Sequence, residues 1–217
     1  MKPTGRAVLW DLDGTLVDSR DQHWRAWRDT MAAEGITISE RQFLSSFGQR
    51  NDAILTGWLG PRATTEFIGR VGDEKERRFR ELVEREGATL LPGVREWVET
   101  LGTAGWAQAI ASSAPRANVT VLHGALGMPG RFGALVSAED VRHGKPDPEV
   151  FLVAARRLGV GAARCVVVED AAAGIEAARR AGMRSIGRGP GVGAAADVTV
   201  ASLADLPTAT FDSLVPP

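Results

Sequence analysis

Ala7-Val8-Leu9-Trp10-Asp11-Leu12-Asp13-Gly14-Thr15-Leu16-Val17-Asp18-Ser19 joins four apolar residues to two alternating carboxylates and a glycine. An apolar run that short, stopped abruptly by acid, reads as a strand buried on both faces. Side chains of an extended segment alternate, so Asp11 and Asp13 share one face at the strand's carboxyl end while Leu12 points the other way. Two carboxylates held that close repel each other unless a cation or a shared proton neutralises them, and such hard oxygen donors suit Mg²⁺. One carboxylate can then serve as a nucleophile while its neighbour holds or releases a proton. Gly14 and Thr15 are expected to leave backbone N–H groups open to an anion.

Working outward, further short apolar runs occur at Ala107 to Ala111, Ala134 to Val136 and Cys165 to Val168, with weaker ones at Ser185-Ile186 and Val198 to Val200. Helical spacings lie between them, at Val94, Trp97, Val98 and Leu101, at Phe151, Ala154 and Leu158, and at Ile175 and Ala178. Strands alternating with helices predict an α/β fold: a Rossmann-like parallel sheet covered on both faces by helices. One stretch breaks the rhythm. From Ser19 to Gly87 only helix-spaced apolar sets appear, such as Trp24, Trp27 and Met31, or Phe79, Leu82 and Val83. This predicts an all-α cap of residues 19–87 inserted into a core of residues 1–18 and 88–217. Rooted beyond the first strand, the insertion overhangs the crevice where open parallel sheets bind ligands, with Thr15 to Ser19 and Gly87 to Pro92 as hinges. The glycine-rich Gly187 to Gly193 follows a weak strand and contains Pro190, so it reads as a surface loop and not as a dinucleotide turn.

Three more elements fall at strand ends or the adjoining loops. Ser112-Ser113 closes the second strand with hydroxyls suited to phosphate oxygens. Lys145, in Gly144-Lys145-Pro146-Asp147-Pro148, offers a point charge. Glu169-Asp170 ends the strand that begins at Cys165 and brings a second acidic pair, so hard oxygen donors from two strands again favour Mg²⁺ over zinc. Each element alone is ordinary; together they converge on one edge of one sheet.

Composition narrows the field. The 217 residues carry 26 basic and 27 acidic side chains, a formal net charge of -1, which gives no electrostatic case for nucleic acid or an anionic membrane surface. With 44% hydrophobic and 24% charged residues the chain is far from the disordered regime. Lys2, Lys75 and Lys145 are its only lysines. The single cysteine, Cys165, fits a reducing compartment. No run approaches the ~20 apolar residues of a membrane helix, and Ala7 to Trp10 is too short for a signal peptide. The expectation is a soluble cytoplasmic protein in which the sequon Asn118-Val119-Thr120 plays no part.

Asp11 to Ser19, Ser112, Gly144-Lys145-Pro146 and Glu169-Asp170, in that order, resemble the four motifs of the haloacid dehalogenase-like (HAD) hydrolase superfamily. The resemblance spans almost the whole chain. The helical insertion resembles that superfamily's type 1 cap, and His23 to Trp27 and Gly48 to Asp52 are similar to cap segments of its β-phosphoglucomutase and phosphoglycolate phosphatase branch. The resemblance implies that Asp11 attacks phosphorus to give an aspartyl-phosphate and that Asp13 protonates the leaving oxygen and then activates water. It implies that Lys145 and Ser112 hold the transferring group and that Mg²⁺ is bound by Asp11, the backbone carbonyl of Asp13, Asp170 and, directly or through water, Glu169. An aspartate at position 13 favours phosphoryl transfer over dehalogenation, which has no alkoxide to protonate.

The expected function is Mg²⁺-dependent hydrolysis of a small phosphorylated metabolite. Gly14, Ser113, Arg116 and Asn118 are further candidates for phosphate contact, although Arg116 and Asn118 also fit a polar first turn of a helix. In the cap, His23, Arg50 and Lys75 are candidate substrate contacts, and also readable as ordinary polar helix residues. A hexose-phosphate mutase uses the same intermediate but needs a tight cap and a second phosphate site. A non-catalytic phosphate-binding module predicts damage at Asp11, Asp13, Lys145 or Asp170, and all four are intact. Oligomeric state is not legible.

Overall fold

The computed structural model describes residues 5–217, and Lys2 lies outside them. Strands β1 (Ala7–Trp10), β2 (Ala107–Ala111), β3 (Ala134–Val136), β4 (Cys165–Glu169), β5 (Arg184–Arg188) and β6 (Val198–Val200) form one sheet in the order β3-β2-β1-β4-β5-β6. All neighbours are parallel. From β1 the chain builds β2 and β3 on one side and then crosses to β4, β5 and β6 on the other. The crevice beyond the carboxyl ends of β1 and β4 is therefore a topological switch point.

Alternation along the strands supplies both faces. Val8, Trp10, Ile110, Val166 and Val168 pack with Val94 and Val98 of α5 (Val94–Thr103), Val119 and Leu122 of α6 (Arg116–Ala125) and Phe211 of α9 (Thr210–Leu214). Ala7, Leu9, Ala109, Cys165 and Val167 face the other way, against Phe151 and Ala154 of α7 (Glu149–Leu158) and Ala177 and Ala178 of α8 (Ala172–Arg180). The α/β sheet covered on both faces is thus present, and β4 and β5 run further than their apolar runs suggest. Gly187 and Arg188, expected in a surface loop, belong to β5 because their backbone pairs with β6. Gly187 is required there, since a Cβ would stand 2.8 Å from Val192.

Between β1 and α5 lie four helices: α1 (Arg20–Ala33), α2 (Glu40–Ser46), α3 (Asn51–Leu59) and α4 (Thr65–Glu86). Ser39 closes a capping box on α2 and the Thr64 hydroxyl caps α4. Trp27, Met31, Phe43, Leu55 and Val71 give this all-α insertion its own core, while Ala26, Phe79 and Val83 root it in the sheet's. The two segments expected as hinges run side by side: Asp18 N–H donates to Thr89 O at 2.9 Å and Leu91 N–H to Leu16 O at 3.1 Å. No described helix is long and apolar enough to cross a membrane.

Candidate active site

Register places the acids. Trp10 lies level with Val168 across the β1–β4 pair, so Asp11 and Glu169 emerge side by side, and Asp11 N–H donates to Val168 O at 3.0 Å. Lys145 Nζ reaches between them, 2.6 Å from Asp11 Oδ1 and 3.0 Å from Glu169 Oε1. Oxygens of Asp11, Glu169 and Asp170 all lie within 4.8 Å of one another. Burial, with Asp11 nearby, pushes Glu169 up to about 8 and Asp170 up to about 7, and burial raises Asp11 against the opposing pull of Lys145. Burial works against the charge on Lys145, yet Asp11 and Glu169 raise its pKa overall. The result is an acidic cluster short of positive charge, the environment a divalent cation completes.

Two glycines permit this crowding. A Cβ on Gly14, whose φ is +80°, would stand 2.1 Å from Asp170 Oδ2, and one on Gly174 would stand 1.9 Å from Glu169 Oε1. Neither position admits a side chain while the carboxylates keep these places.

Asp13 belongs to a second network. Its Oδ1 accepts from the Ser19 hydroxyl at 2.5 Å and meets His23 Nε2 at 3.1 Å. The other ring nitrogen of His23 lies 2.9 Å from Lys75 Nζ, which also donates to Glu76 Oε1 at 2.9 Å. Lys75 can only donate, so the partners assign His23 the neutral tautomer, with Nε2–H toward Asp13. Burial and Lys75 lower the His23 pKa. Burial opposes the charge on Asp13, but His23, Ser19 and Lys75 outweigh it and hold its carboxyl below the ordinary value. Both aspartates are desolvated, and their partners part them: Asp13 is held below the ordinary value and Asp11 is raised above it.

A cavity of about 160 Å³ joins these groups, floored by Asp11, Asp13, Ser112, Ser113, Glu169 and Asp170 and roofed by His23, Trp27, Phe43, Phe47, Arg50, Asn51, Asp52, Ile54, Lys75 and Glu76. Ser112 is buried and its hydroxyl oxygen accepts from Ala114 N–H at 3.0 Å. The structure thus brings Asp11, Asp13, Ser112, Ser113, His23, Arg50, Lys75, Glu169 and Asp170 to one cavity, with Lys145 bonded to two of its acids.

Three expected contacts lie elsewhere. Arg116 turns outward to pair with Asp140 at 3.0 Å, drawn there by the carboxylates of the loop after β3. Asn118 is fully buried against the cap: its amide donates to Glu76 Oε2 at 2.5 Å and its carbonyl oxygen accepts from Arg80 at 3.1 Å. The backbone N–H groups of Gly14 and Thr15 are spent inside their own turn, on Val17 O at 2.8 Å and Leu12 O at 3.4 Å. Conversely, Ser19, Glu76, Trp27, Phe43 and Phe47 take part without having been singled out. Of these, Ser19 carries a signal as the last residue of the first motif and Trp27 as the end of the His23 to Trp27 segment.

The model of the haloacid dehalogenase-like hydrolase family matches residues 6–182. The chain is 37% identical over 187 residues to Hexitol phosphatase B of Escherichia coli K12, covering 83% of this chain and 82% of that protein. It is 36% identical over 186 residues to Protein SUPPRESSOR OF QUENCHING 1, chloroplastic, of Arabidopsis thaliana, spanning 83% of this chain but only 17% of that much longer protein. Among solved structures, beta-phosphoglucomutase from Clostridium difficile superposes with a TM-score of 0.86 at 27% identity, over 96% of each chain. On the family match across most of the chain, and on a relative at 37% identity covered over most of its length, the chain belongs to the haloacid dehalogenase-like hydrolase family.

Proposed function

We propose that the protein is a Mg²⁺-dependent phosphatase of small, singly phosphorylated metabolites such as sugar phosphates, with residues 19–87 capping a core of residues 1–18 and 88–217. The observation that carries this reading over a mutase is the state of the cations around the cavity. A mutase must hold a second phosphate, which needs unpaired positive charge opposite Asp11. Lys75 is buried against Glu76, His23 is neutral and committed to Asp13, and Arg116 is drawn away by Asp140. Arg50 remains, with Asp52 at 3.6 Å. Together with Trp27, Phe43 and Ile54, this roof suits a neutral, hydroxylated body better than a second dianion.

The donor set fits Mg²⁺: two buried carboxylates and one half-buried one from adjacent strand ends, two of the three with strongly raised pKa values. Asp11, Glu169 and Asp170 would hold the ion, with the Asp13 backbone carbonyl as the remaining protein donor. Bound there, Mg²⁺ supplies charge neutralisation for the carboxylates and the phosphoryl oxygens.

The chain's own residues perform the transfer. Asp13, ionised in the free protein, first takes up a proton from solvent as the phosphate dianion enters beside it; an oxygen of Asp11 then bonds to phosphorus as the bond from phosphorus to the ester oxygen breaks, and Asp13 delivers that proton to the ester oxygen. Asp13, again a carboxylate held by Ser19 and His23, then takes a proton from water. The water oxygen bonds to phosphorus, the acyl-phosphate P–O bond breaks, and phosphate leaves with Asp11 restored. Lys145 and Ser112 steady the transferring group.

A phosphate-release screen of hexose, pentose and polyol monophosphates, phosphoglycolate and nucleotides, run beside isomerisation of β-glucose 1-phosphate, tests the reading. Release from a sugar or polyol phosphate is expected. Isomerisation stimulated by a bisphosphate, without release, would replace it with a mutase.

A further inference from the structure

Arg188 is the last residue of β5, and nothing in the mechanism above uses it. It is half-buried and its guanidinium donates to the backbone carbonyl of Gly14 at 2.7 Å, a contact between residues 174 apart in sequence. Gly14 is the residue after Asp13 and stands at φ +80° with its Cα face against Asp170 Oδ2. The glycine is therefore fixed on two sides: Asp170 fills the place a Cβ would take, and Arg188 ties down the carbonyl. Its own N–H is spent on Val17 O at 2.8 Å, which closes the turn. A glycine in the left-handed region has low intrinsic resistance to rotation, so an external tie matters more there than at an ordinary residue.

Charge points the same way. Asp11, Asp13, Glu169 and Asp170 bring four carboxylates to the site, and Lys145 is bonded to two of them. Arg188 is a second cation whose charge acts on Asp170. It also lines a further cavity, together with Gly48, Lys145 and Asp170.

We infer that Arg188 is a positioning residue for the transfer step: by clamping the Gly14 carbonyl it fixes the turn that aims Asp13, while its charge settles Asp170 against that turn. The inference rests on the phosphatase reading for its kinetic consequence but not for its structural one. Misplacement of a reacting group by a fraction of an ångström to an ångström is costly in rate and nearly neutral in binding.

The test pairs kinetics with amide hydrogen exchange on the purified, substrate-free protein. Arg188→Met is expected to lower kcat by about tenfold or more with KM within about threefold. It is also expected to speed exchange in the peptide spanning residues 13–17 while α5, α7 and the cap helices stay protected as in wild type. Arg188→Lys, which keeps a donor and the charge, is expected to recover most of both effects. Unchanged exchange over 13–17 in Arg188→Met would overturn the clamp, as would faster exchange spread over the whole chain, or a lysine variant no better than the methionine one. A wild-type protein that releases no phosphate from any ester would refute the phosphatase reading alone, because the exchange comparison needs no substrate.

Discussion

Gly174 stands third in α8, where replacement by alanine in an ordinary helix gains about 0.5–1 kcal/mol. Here the sign reverses. The new Cβ would stand 1.9 Å from Glu169 Oε1 and 2.2 Å from its carboxyl carbon, with Lys145 bonded to that same oxygen. Gly174→Ala therefore has to expel Glu169 from its place or bend the helix start, and a loss of about 1–3 kcal/mol is expected in urea unfolding. An alanine variant as stable as wild type would contradict the packing described. By the same reasoning a side chain at Gly14 should also be poorly accepted, because Asp170 packs directly against its backbone, which cannot yield as a side chain can.

At the scale of elements, the join between cap and core runs through buried polar groups. Glu76 on α4 accepts from Asn51 of α3 and Asn118 of α6 as well as Lys75. Burial works against its charge, but Lys75 and His23 keep its pKa below the ordinary value. Asn118→Ala removes a donor from a buried carboxylate, so a destabilisation of about 1–3 kcal/mol is expected by denaturant titration. A neutral outcome would mean that the α4–α6 contact carries no weight. These contacts also mark what the sequence could and could not disclose. Asp11, Asp13, Lys145, Glu169 and Asp170 were legible because apolar runs locate strand ends, and strand ends of a parallel sheet share one edge. Asn118 lies in the polar first turn of α6, one of its two readings, but its partner is illegible locally, since Glu76 lies 42 residues away on a helix whose docking no local pattern encodes. Arg188 went unnoticed for the same reason, and Gly14 N–H was assigned to an anion because the tight turn that consumes it depends on Val17.

For the whole molecule, the acidic cluster couples stability, protons and metal. Glu169 and Asp170 keep their protons in the folded chain up to about pH 8 and about pH 7, whereas an unfolded chain releases them near pH ~4. Their contribution to stability is complete below the unfolded value and is lost as the pH rises through 7 and 8. The melting temperature of the metal-free protein should accordingly fall between about pH 4 and pH 8 and level off above, and stabilisation by Mg²⁺ should grow over that window as the ion takes the place of protons. A Mg²⁺ shift independent of pH would contradict the assignment of these carboxylates as its ligands. The most direct test of the central claim is phosphate release by wild type and Asp11→Asn, purified side by side and assayed with Mg²⁺ on the best ester from the substrate screen. The account predicts turnover by wild type and none above background in a variant that remains folded, because the substitution removes the attacking oxygen at nearly constant volume. Measurable turnover by folded Asp11→Asn would contradict it.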